Sequence, residues 1–166
     1  MASSQHQQHP IPPLYDENSR ILILGSFPSV KSREGQFFYH HPQNRFWRVL
    51  AAVLNEEVPL TIEEKTEFLH RNHIALWDVI GSCEIVGSSD SSIRNVVPND
   101  LSPILSHANI QAIFCNGSTS HRYYLKYTQK TTGRPAVVLP STSPANAART
   151  LERLTNSWSV IAGHIL

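Results

Sequence analysis

Cysteine is scarce in this sequence, and its scarcity excludes several kinds of site. The chain contains only Cys83 and Cys115, and it has no C-x-x-C pair. Two thiols cannot build a disulfide framework, and within one chain they cannot supply the four ligands of an iron–sulfur cluster. We therefore expect a protein of a reducing compartment.

Long apolar runs and a dominant charge are also missing. No apolar run approaches the ~20 residues that a membrane-spanning helix needs, and the N-terminus lacks the apolar core of a signal peptide. The formal net charge is +1, which by itself favours no charged partner. A basic face can still exist within a neutral total. Its candidates are Lys31 and Arg33, Arg45 and Arg48, Arg122 and Lys126, and Arg149 and Arg153.

The motifs of several enzyme classes are absent as well. The chain has neither the Gly-Lys-Ser nor the Gly-Lys-Thr of a Walker loop. It has no G-x-S-x-G nucleophile elbow, although Gly25 and Ser26 follow a predicted strand. Histidines pair at 40–41 and at 70 and 73, but no carboxylate or cysteine joins either pair at ligand spacing. We therefore expect no metal site.

What the sequence does have is an alternation of apolar runs with helical patterns. Its 166 residues, of which 40% are hydrophobic, suit one globular domain with a sizeable core. Strands that alternate with helices indicate a parallel sheet covered on both faces. We predict an α/β fold, a three-layer α/β/α sandwich around a central, mainly parallel four-stranded sheet. The predicted strands are 20–24, 74–80, 110–115 and 136–139, and the predicted helices are 44–54, 61–71, 98–107, 119–130 and 145–157.

The two ends of the chain receive separate predictions. Residues 1–19 are polar and proline-rich, which predicts a disordered lead-in. Residues 20–166 are predicted to form a single domain, in which the state of 160–165 is left open. Asn44 is a candidate N-cap of its helix, and Thr61 with Glu64 matches a capping box.

The first of two informative loops follows the first predicted strand and spans residues 25–43. Gly25 permits close approach of a ligand to the backbone. The aromatic residues 37–39 form either a plug over the core or a stacking wall for a nucleobase. Asn44, at the end of the loop, is suited to orienting a water or contacting a base edge.

The second loop, Pro-Ser-Thr-Ser-Pro-Ala-Asn at 140–146, follows the last predicted strand. Its hydroxyls and the helix after it form either a phosphate cradle or a simple cap with Ser141 or Ser143 at the N-cap. Open α/β sheets bind ligands at the C-terminal ends of their strands. Because both loops lie at that edge, we favour the phosphate interpretation.

The two loops resemble motifs of the uracil-DNA glycosylase superfamily. The stretch GSFPSVKSREGQFFYHHPQNRFW, residues 25–47, is similar to the first motif of the mismatch-specific uracil/thymine glycosylases, which have a GINPG loop followed by HPxNRFW. The stretch LPSTSPANA, residues 139–147, resembles the superfamily's serine–proline loop that pinches the DNA strand. The resemblance covers nearly the whole chain from about residue 20, and it implies a uracil-DNA glycosylase-like fold.

One position departs from this pattern. Where the GINPG enzymes have the asparagine that positions water, this chain has Phe27. The hypoxanthine-DNA glycosylases have a GSFP-type loop, and in them the asparagine of the NRFW segment, here Asn44, is implicated in catalysis. The resemblance therefore implies a DNA repair glycosylase that removes hypoxanthine. The alternatives are a uracil or mismatch glycosylase, or a non-catalytic nucleic-acid-binding module on the same fold.

The resemblance also implies catalytic roles. Asn44 is expected to hold the attacking water. Ser26 and Phe27 are candidates for the catalytic loop, in which the main-chain amides of 25–27 stabilise the departing base as an oxyanion hole does.

A further set is expected to bind the extruded base. Tyr39 is the expected stacking aromatic, and Phe38 is the second choice. Gly25 and Asn116 are candidate pocket residues. Asp78 either accepts the N1–H of hypoxanthine, which adenine lacks, or is an ordinary carboxylate that caps a turn.

The remaining predictions concern partners. The second loop is expected to compress the DNA backbone, helped by the helix predicted to begin near Ala145. The segment 90–92 either lines the site or is a flexible loop. We expect DNA with a deaminated base as partner, no cofactor, no membrane, a monomer, and a prokaryotic cytoplasm or a eukaryotic nucleus. The residues predicted to contact DNA are Pro140, Ser141, Thr142, Ser143, Pro144, Asn146, Ser29 and Arg45.

Overall fold

The computed structural model describes residues 3–165, which form both strands and helices. The strands are β1 (Gln5–Gln8), β2 (Ile21–Gly25), β3 (Ile74–Asp78), β4 (Ile80–Ile85), β5 (Arg94–Pro98), β6 (Ala112–Asn116) and β7 (Val137–Leu139). The α-helices are α1 (Val30–Gly35), α2 (Phe46–Leu54), α3 (Ile62–Arg71), α4 (Ser102–His107), α5 (Ser118–Tyr123), α6 (Gln129–Thr132) and α7 (Leu151–Trp158), and a π-helix, Tyr124–Thr128, joins α5 to α6. Within residues 3–165 no helix is long and apolar enough to cross a bilayer.

A four-stranded parallel sheet lies at the centre, in the order β3-β2-β6-β7. Strand β2 is apolar throughout because both of its faces are buried. Ile21 and Ile23 pack into the core on one face, while Leu22 and Leu24 pack into the core on the other. A strand buried on both faces has no solvent side to mark with polar residues. The predicted α/β class and parallel sheet are confirmed.

Helices cover both faces of this sheet. Residues of α2, α3 and α7, among them Phe46, Phe68 and Trp158, form the core on one face. Residues of α4 and α5, including Ile104 and Tyr123, help to form the core on the other. The indole Nε1 of Trp158 donates to the carbonyl of residue 140 at 2.9 Å, so the core also anchors the second loop.

A second sheet was not predicted. Strands β1, β4 and β5 form a three-stranded antiparallel sheet in the order β1-β4-β5. The predicted strand 74–80 is therefore wrong at its end, because β3 stops at Asp78 and β4 begins at Ile80 in the other sheet. A continuous apolar run does not reveal where a chain leaves one sheet for another.

The prediction of a disordered lead-in is wrong for residues 3–19. Strand β1 pairs antiparallel with β4, and Leu14 exchanges main-chain hydrogen bonds with Leu76 at 2.9 and 3.0 Å. Ile11 is buried in the core. Polar composition reports only on side chains, whereas this segment is held through its backbone. Residues 1–2 of that prediction lie outside the described residues.

Helix starts were predicted unequally well. The prediction of Asn44 as the N-cap is wrong by one residue, because α2 begins at Phe46 and its N-cap is Arg45. Asn44 Oδ1 still accepts from the main-chain N–H of Phe46 at 2.9 Å. Thr61 caps α3 as predicted, accepting from the N–H of Glu64 at 3.0 Å. The predicted helix 145–157 is wrong at its start, because α7 begins at residue 151 after the N-cap Thr150. A 3-10 helix, Ser159–His164, follows it.

Candidate active site

A pocket opens where the C-terminal ends of β2, β3 and β6 meet the two loops. Its volume is about 140 Å³. This is roughly ten times the ~10–15 Å³ that one water needs by the same measure. The predicted site residues that line it are Gly25, Ser26, Phe27, Ser29, Phe38, Tyr39, Asn44, Asp78, Asn116, Ser141, Thr142 and Ser143.

The carboxamide of Asn44 has its oxygen occupied by the protein and its NH₂ group left for a ligand. Its Oδ1 accepts from the N–H of Phe46 at 2.9 Å and from Thr142 Oγ1 at 2.8 Å. Both partners are donors, so the oxygen already has two hydrogen bonds and is identified as the oxygen. The group left for a ligand is the Nδ2 amide, which can only donate.

Thr142 is the centre of this side of the pocket. Its Oγ1 accepts from Asn116 Nδ2 at 3.0 Å, and its N–H donates to Asn116 Oδ1 at 3.0 Å. Its side chain is wholly buried. The predicted DNA contact is therefore replaced by a link between two carboxamides. We call Asn44, Asn116 and Thr142 the amide wall.

The opposite side carries a carboxylate. Asp78 Oδ2 lies 2.6 Å from His9 Nε2, and the two side chains are 6% and 3% exposed. A Cβ at Gly25 would overlap with Oδ1 of Asp78, so glycine is needed here for space. We call His9 and Asp78 the acidic wall. Sequence reasoning missed His9 because no motif marks it and its segment looked disordered.

The aromatic residues of the first loop pack mainly against the protein. Tyr39 has a φ of 51° and stacks on Phe46, with ring centroids 3.9 Å apart. Its buried hydroxyl has no hydrogen-bond partner among residues 3–165. Burial, together with the charge of Asp78, raises the pKa of Tyr39. Phe27 and Phe38 are 8% and 3% exposed, so each offers only a small surface to the pocket.

Asp90, to which sequence reasoning gave no role of its own, lies at the rim of the pocket. Its segment 90–92 forms a 3-10 helix, and within this segment Asp90 lines the pocket. Of the two alternatives that the sequence left open, this observation favours the lining one. Ser26 Oγ donates to Asp90 Oδ1 at 3.4 Å. Desolvation raises the pKa of the Asp90 carboxyl.

The second loop is folded by its own hydroxyls. Ser141 Oγ accepts from the N–H of Ser143 at 3.1 Å, and Ser143 Oγ accepts from the N–H of Ala145 at 3.2 Å. With α7 starting six residues beyond 145, neither a simple helix cap nor a helix-assisted phosphate cradle forms at this loop. Each serine hydroxyl keeps its hydrogen for donation outward. Pro140 and Asn146 line a groove beside the pocket.

Arg45 connects the first loop to the second. Its guanidinium donates to the carbonyls of Ser143 at 3.1 Å, of Asn146 at 2.9 Å, and of Arg149. These bonds use three of the five N–H donors of the guanidinium and hold the second loop in place. Direct contact of Arg45 with DNA stays a prediction. Ser29, also predicted to contact DNA, caps α1 by accepting from the N–H of Ser32 at 3.1 Å.

Comparison with known proteins assigns this architecture to a family. A family model for the Uracil DNA glycosylase superfamily matches residues 12–162. A hypoxanthine DNA glycosylase of Methanosarcina barkeri is 34% identical over 150 residues, covering 89% of this chain and 93% of that protein. A hypoxanthine DNA glycosylase of Methanosarcina acetivorans is 34% identical over 155 residues, covering 92% and 96%.

A solved structure agrees. The solution NMR structure of a candidate uracil DNA glycosylase from Methanosarcina acetivorans superposes with a TM-score of 0.81 at 32% identity, over 97% of this chain and 99% of that one. The resemblance found in the two loops is confirmed. The chain belongs to the uracil DNA glycosylase superfamily, whose members are DNA glycosylases that hydrolyse N-glycosyl bonds.

Proposed function

We propose that this DNA glycosylase removes hypoxanthine, the deamination product of adenine, and leaves an abasic site. One observation carries the proposal. Asp78 places Oδ1 in the pocket without a hydrogen-bond partner among residues 3–165, while Oδ2 is bound by His9. An acceptor at the end of a base-sized pocket selects a base with a ring N–H. Two relatives named hypoxanthine DNA glycosylase support the same substrate.

The base must leave the duplex before it can reach this pocket. A stacked base is inaccessible to enzyme groups, so glycosylases rotate it out of the helix. The groove beside the pocket, lined by Pro140 and Asn146, suits the flanking backbone. The outward hydroxyl hydrogens of Ser141 and Ser143 can bond phosphate oxygens. Phosphate contacts of this kind position DNA without selecting its sequence.

The carboxylate then selects the base. Hypoxanthine carries a hydrogen on N1, and Asp78 Oδ1 accepts it. Adenine has a lone pair at N1, which a carboxylate oxygen repels. Guanine shares the N1–H, so its exclusion depends on the fit of its 2-amino group within a pocket of about 140 Å³.

The amide wall acts on the bond that breaks. Hydrolysis of the N-glycosidic bond builds positive charge on the sugar and negative charge on the departing base. Asn44 has Oδ1 engaged, so it orients the attacking water by donating from Nδ2, or donates to the base itself. It does not act as a general base. Preorganised donors at a developing negative charge are the largest single source of rate in many enzymes.

Uracil is the second candidate substrate, and the same carboxylate favours it. Uracil carries a ring N–H at N3, which Asp78 Oδ1 could accept. The solved relative is named for uracil. Phe27, in the position of the water-binding asparagine of the GINPG enzymes, favours hypoxanthine instead. We further propose that the protein acts as a monomer, because its own residues complete the pocket.

A panel of labelled duplexes tests the proposal. Each duplex carries hypoxanthine, uracil, xanthine, guanine or a thymine mispair at one position, and alkali cleaves the strand wherever a base has been released. We expect single-turnover release to be fastest from hypoxanthine. Faster release of uracil would replace the proposed substrate, and tight binding without release would support the non-catalytic alternative.

A further inference from the structure

We propose that His9 is the positioning residue that sets the base specificity of this site. Its imidazole fixes the Asp78 carboxylate so that Oδ1 faces the extruded base as a permanent acceptor. The inference rests on the proposed function and adds to it a residue from the segment that precedes the recognisable motifs.

The hydrogen bonds of His9 identify its tautomer. The main-chain N–H of Ile11 donates to Nδ1 at 3.2 Å, so Nδ1 carries a lone pair. The ring proton is therefore on Nε2, which lies 2.6 Å from Asp78 Oδ2. Nε2 therefore acts as a fixed donor to one carboxylate oxygen.

The ring has no freedom to turn away. Its side chain is 3% exposed, and its centroid lies 5.9 to 6.5 Å from those of three aromatic rings, Phe27, Phe38 and Trp77. The backbone is tied on both sides of the ring. The N–H of His9 donates to the carbonyl of Gly81 at 2.8 Å, and Trp77 Nε1 donates to the carbonyl of Ile11 at 3.1 Å.

The carboxylate needs such a partner. Asp78 is 4% exposed, and an unpaired charge in that surrounding is strongly unfavourable. Gly25 leaves open the space that Oδ1 occupies. With Oδ2 held by His9 and Oδ1 over Gly25, the carboxylate has one orientation. Without the donor it would rotate toward solvent, and the acceptor for the base would be lost.

Two amide substitutions of His9 test its hydrogen-bond donor separately from the packing of its ring. The amide of His9→Gln reaches the position of Nε2 and can still donate to Asp78. The amide of His9→Asn reaches only the position of Nδ1 and leaves Asp78 unpaired. Substrates are duplexes with hypoxanthine or with unsubstituted purine, which has no N1–H. A hydrogen bond to a charged group is worth roughly 10- to 100-fold, so His9→Asn should lower the hypoxanthine-to-purine rate ratio by that factor.

His9→Gln should retain this ratio within about threefold, and both variants should bind a duplex with an abasic-site analogue as the wild type does. His6→Asn is the matched control, because it makes the same change at an exposed position of β1. An equal loss on both bases in His9→Asn, together with a lower melting temperature, would show a purely structural role and overturn the inference.

Failure of the proposed function gives a different result. If the wild type releases uracil instead, the same ratio is measured with uracil and N3-methyluracil. If it releases neither base, ¹⁵N NMR of His9 decides. A proton on Nε2 supports the contact with Asp78, and a proton on Nδ1 overturns it.

Discussion

The two walls of the pocket solve the same problem, the fixing of a polar group, by different means. The amide wall consists of neutral groups that satisfy one another through Thr142. The acidic wall holds a charge with a single short hydrogen bond from His9. Loss of a neutral bond costs about 0.5–1.5 kcal/mol, whereas loss of the partner of a buried charge costs about 3–5 kcal/mol. The acidic wall therefore depends more strongly on a single residue than the amide wall does.

The largest expected effect comes from breaking the amide wall at Asn44, its proposed catalytic residue. Asn44→Ala removes a donor aimed at developing charge, and the single-turnover rate on hypoxanthine should fall by about 10²–10³. Asn44→Asp keeps an oxygen for Phe46 and Thr142 but has no Nδ2, so it should be as slow as Asn44→Ala while both of these hydrogen bonds are kept. Release at the wild-type rate in either variant would remove Asn44 from the mechanism.

The second-largest effect is expected for Asp78→Asn, which breaks the acidic wall. The oxygen of the new amide can still accept from His9, but its NH₂ then meets the N1–H of hypoxanthine, and two donors repel. We expect the rate on hypoxanthine to fall by roughly 10- to 100-fold with unchanged affinity for abasic-site DNA. A loss of affinity alone would contradict base recognition by Asp78.

Gly25→Ala tests whether the Asp78 carboxylate of the acidic wall is held in place. The added Cβ overlaps with Asp78 Oδ1, which His9 keeps from moving aside. Overpacking of this kind costs about 1–3 kcal/mol of unfolding free energy, measured by urea denaturation. Gly163→Ala is the control, because a Cβ there meets nothing within 4 Å. Equal stability of the two variants would show that Asp78 is not held as described.

Thr142→Val tests how much the amide wall contributes to stability. It removes a hydroxyl that serves Asn44 and Asn116, and the free energy of unfolding should fall by about 1–3 kcal/mol. Thr142→Ser retains the hydroxyl and should lose less. Activity should fall less than in Asn44→Ala, since the Nδ2 donor remains. A variant as stable as the wild type would mean that the bridge contributes nothing.

The smallest effect is expected for a substitution of Tyr39. Tyr39→Phe removes a buried hydroxyl without a partner among residues 3–165, so the free energy of unfolding should stay unchanged or rise by up to about 1 kcal/mol. The stacking on Phe46 is kept. Thermal denaturation measures the change. A clear destabilisation would reveal that a base-free pocket still contains a partner for this hydroxyl, such as an ordered water.

The sequence named Asn44 and Asn116 of the amide wall as site candidates but assigned Thr142 to DNA, and of the acidic wall it named only Asp78. Asn44 and Asn116 follow or precede apolar elements, and the parallel sheet brings such ends together. Asp78 was placed at the same edge for the same reason. His9 comes from a polar segment whose position depends on backbone pairing of β1 with β4, and side-chain composition contains no record of that pairing.

The sequence by itself determined the parallel sheet, the edge at which its loops meet and the family motifs, because these depend on local periodicity and on residues within one segment. The tertiary structure alone decided which side chains touch: His9 on Asp78, Thr142 between two carboxamides and Arg45 on the second loop. The contacts of His9 with Asp78, of Arg45 with Ser143 and of Thr142 with Asn44 join residues 69 or more positions apart, and the contact of Thr142 with Asn116 joins residues 26 positions apart. The shape of the packed core, rather than any local pattern, brings them within hydrogen-bond distance.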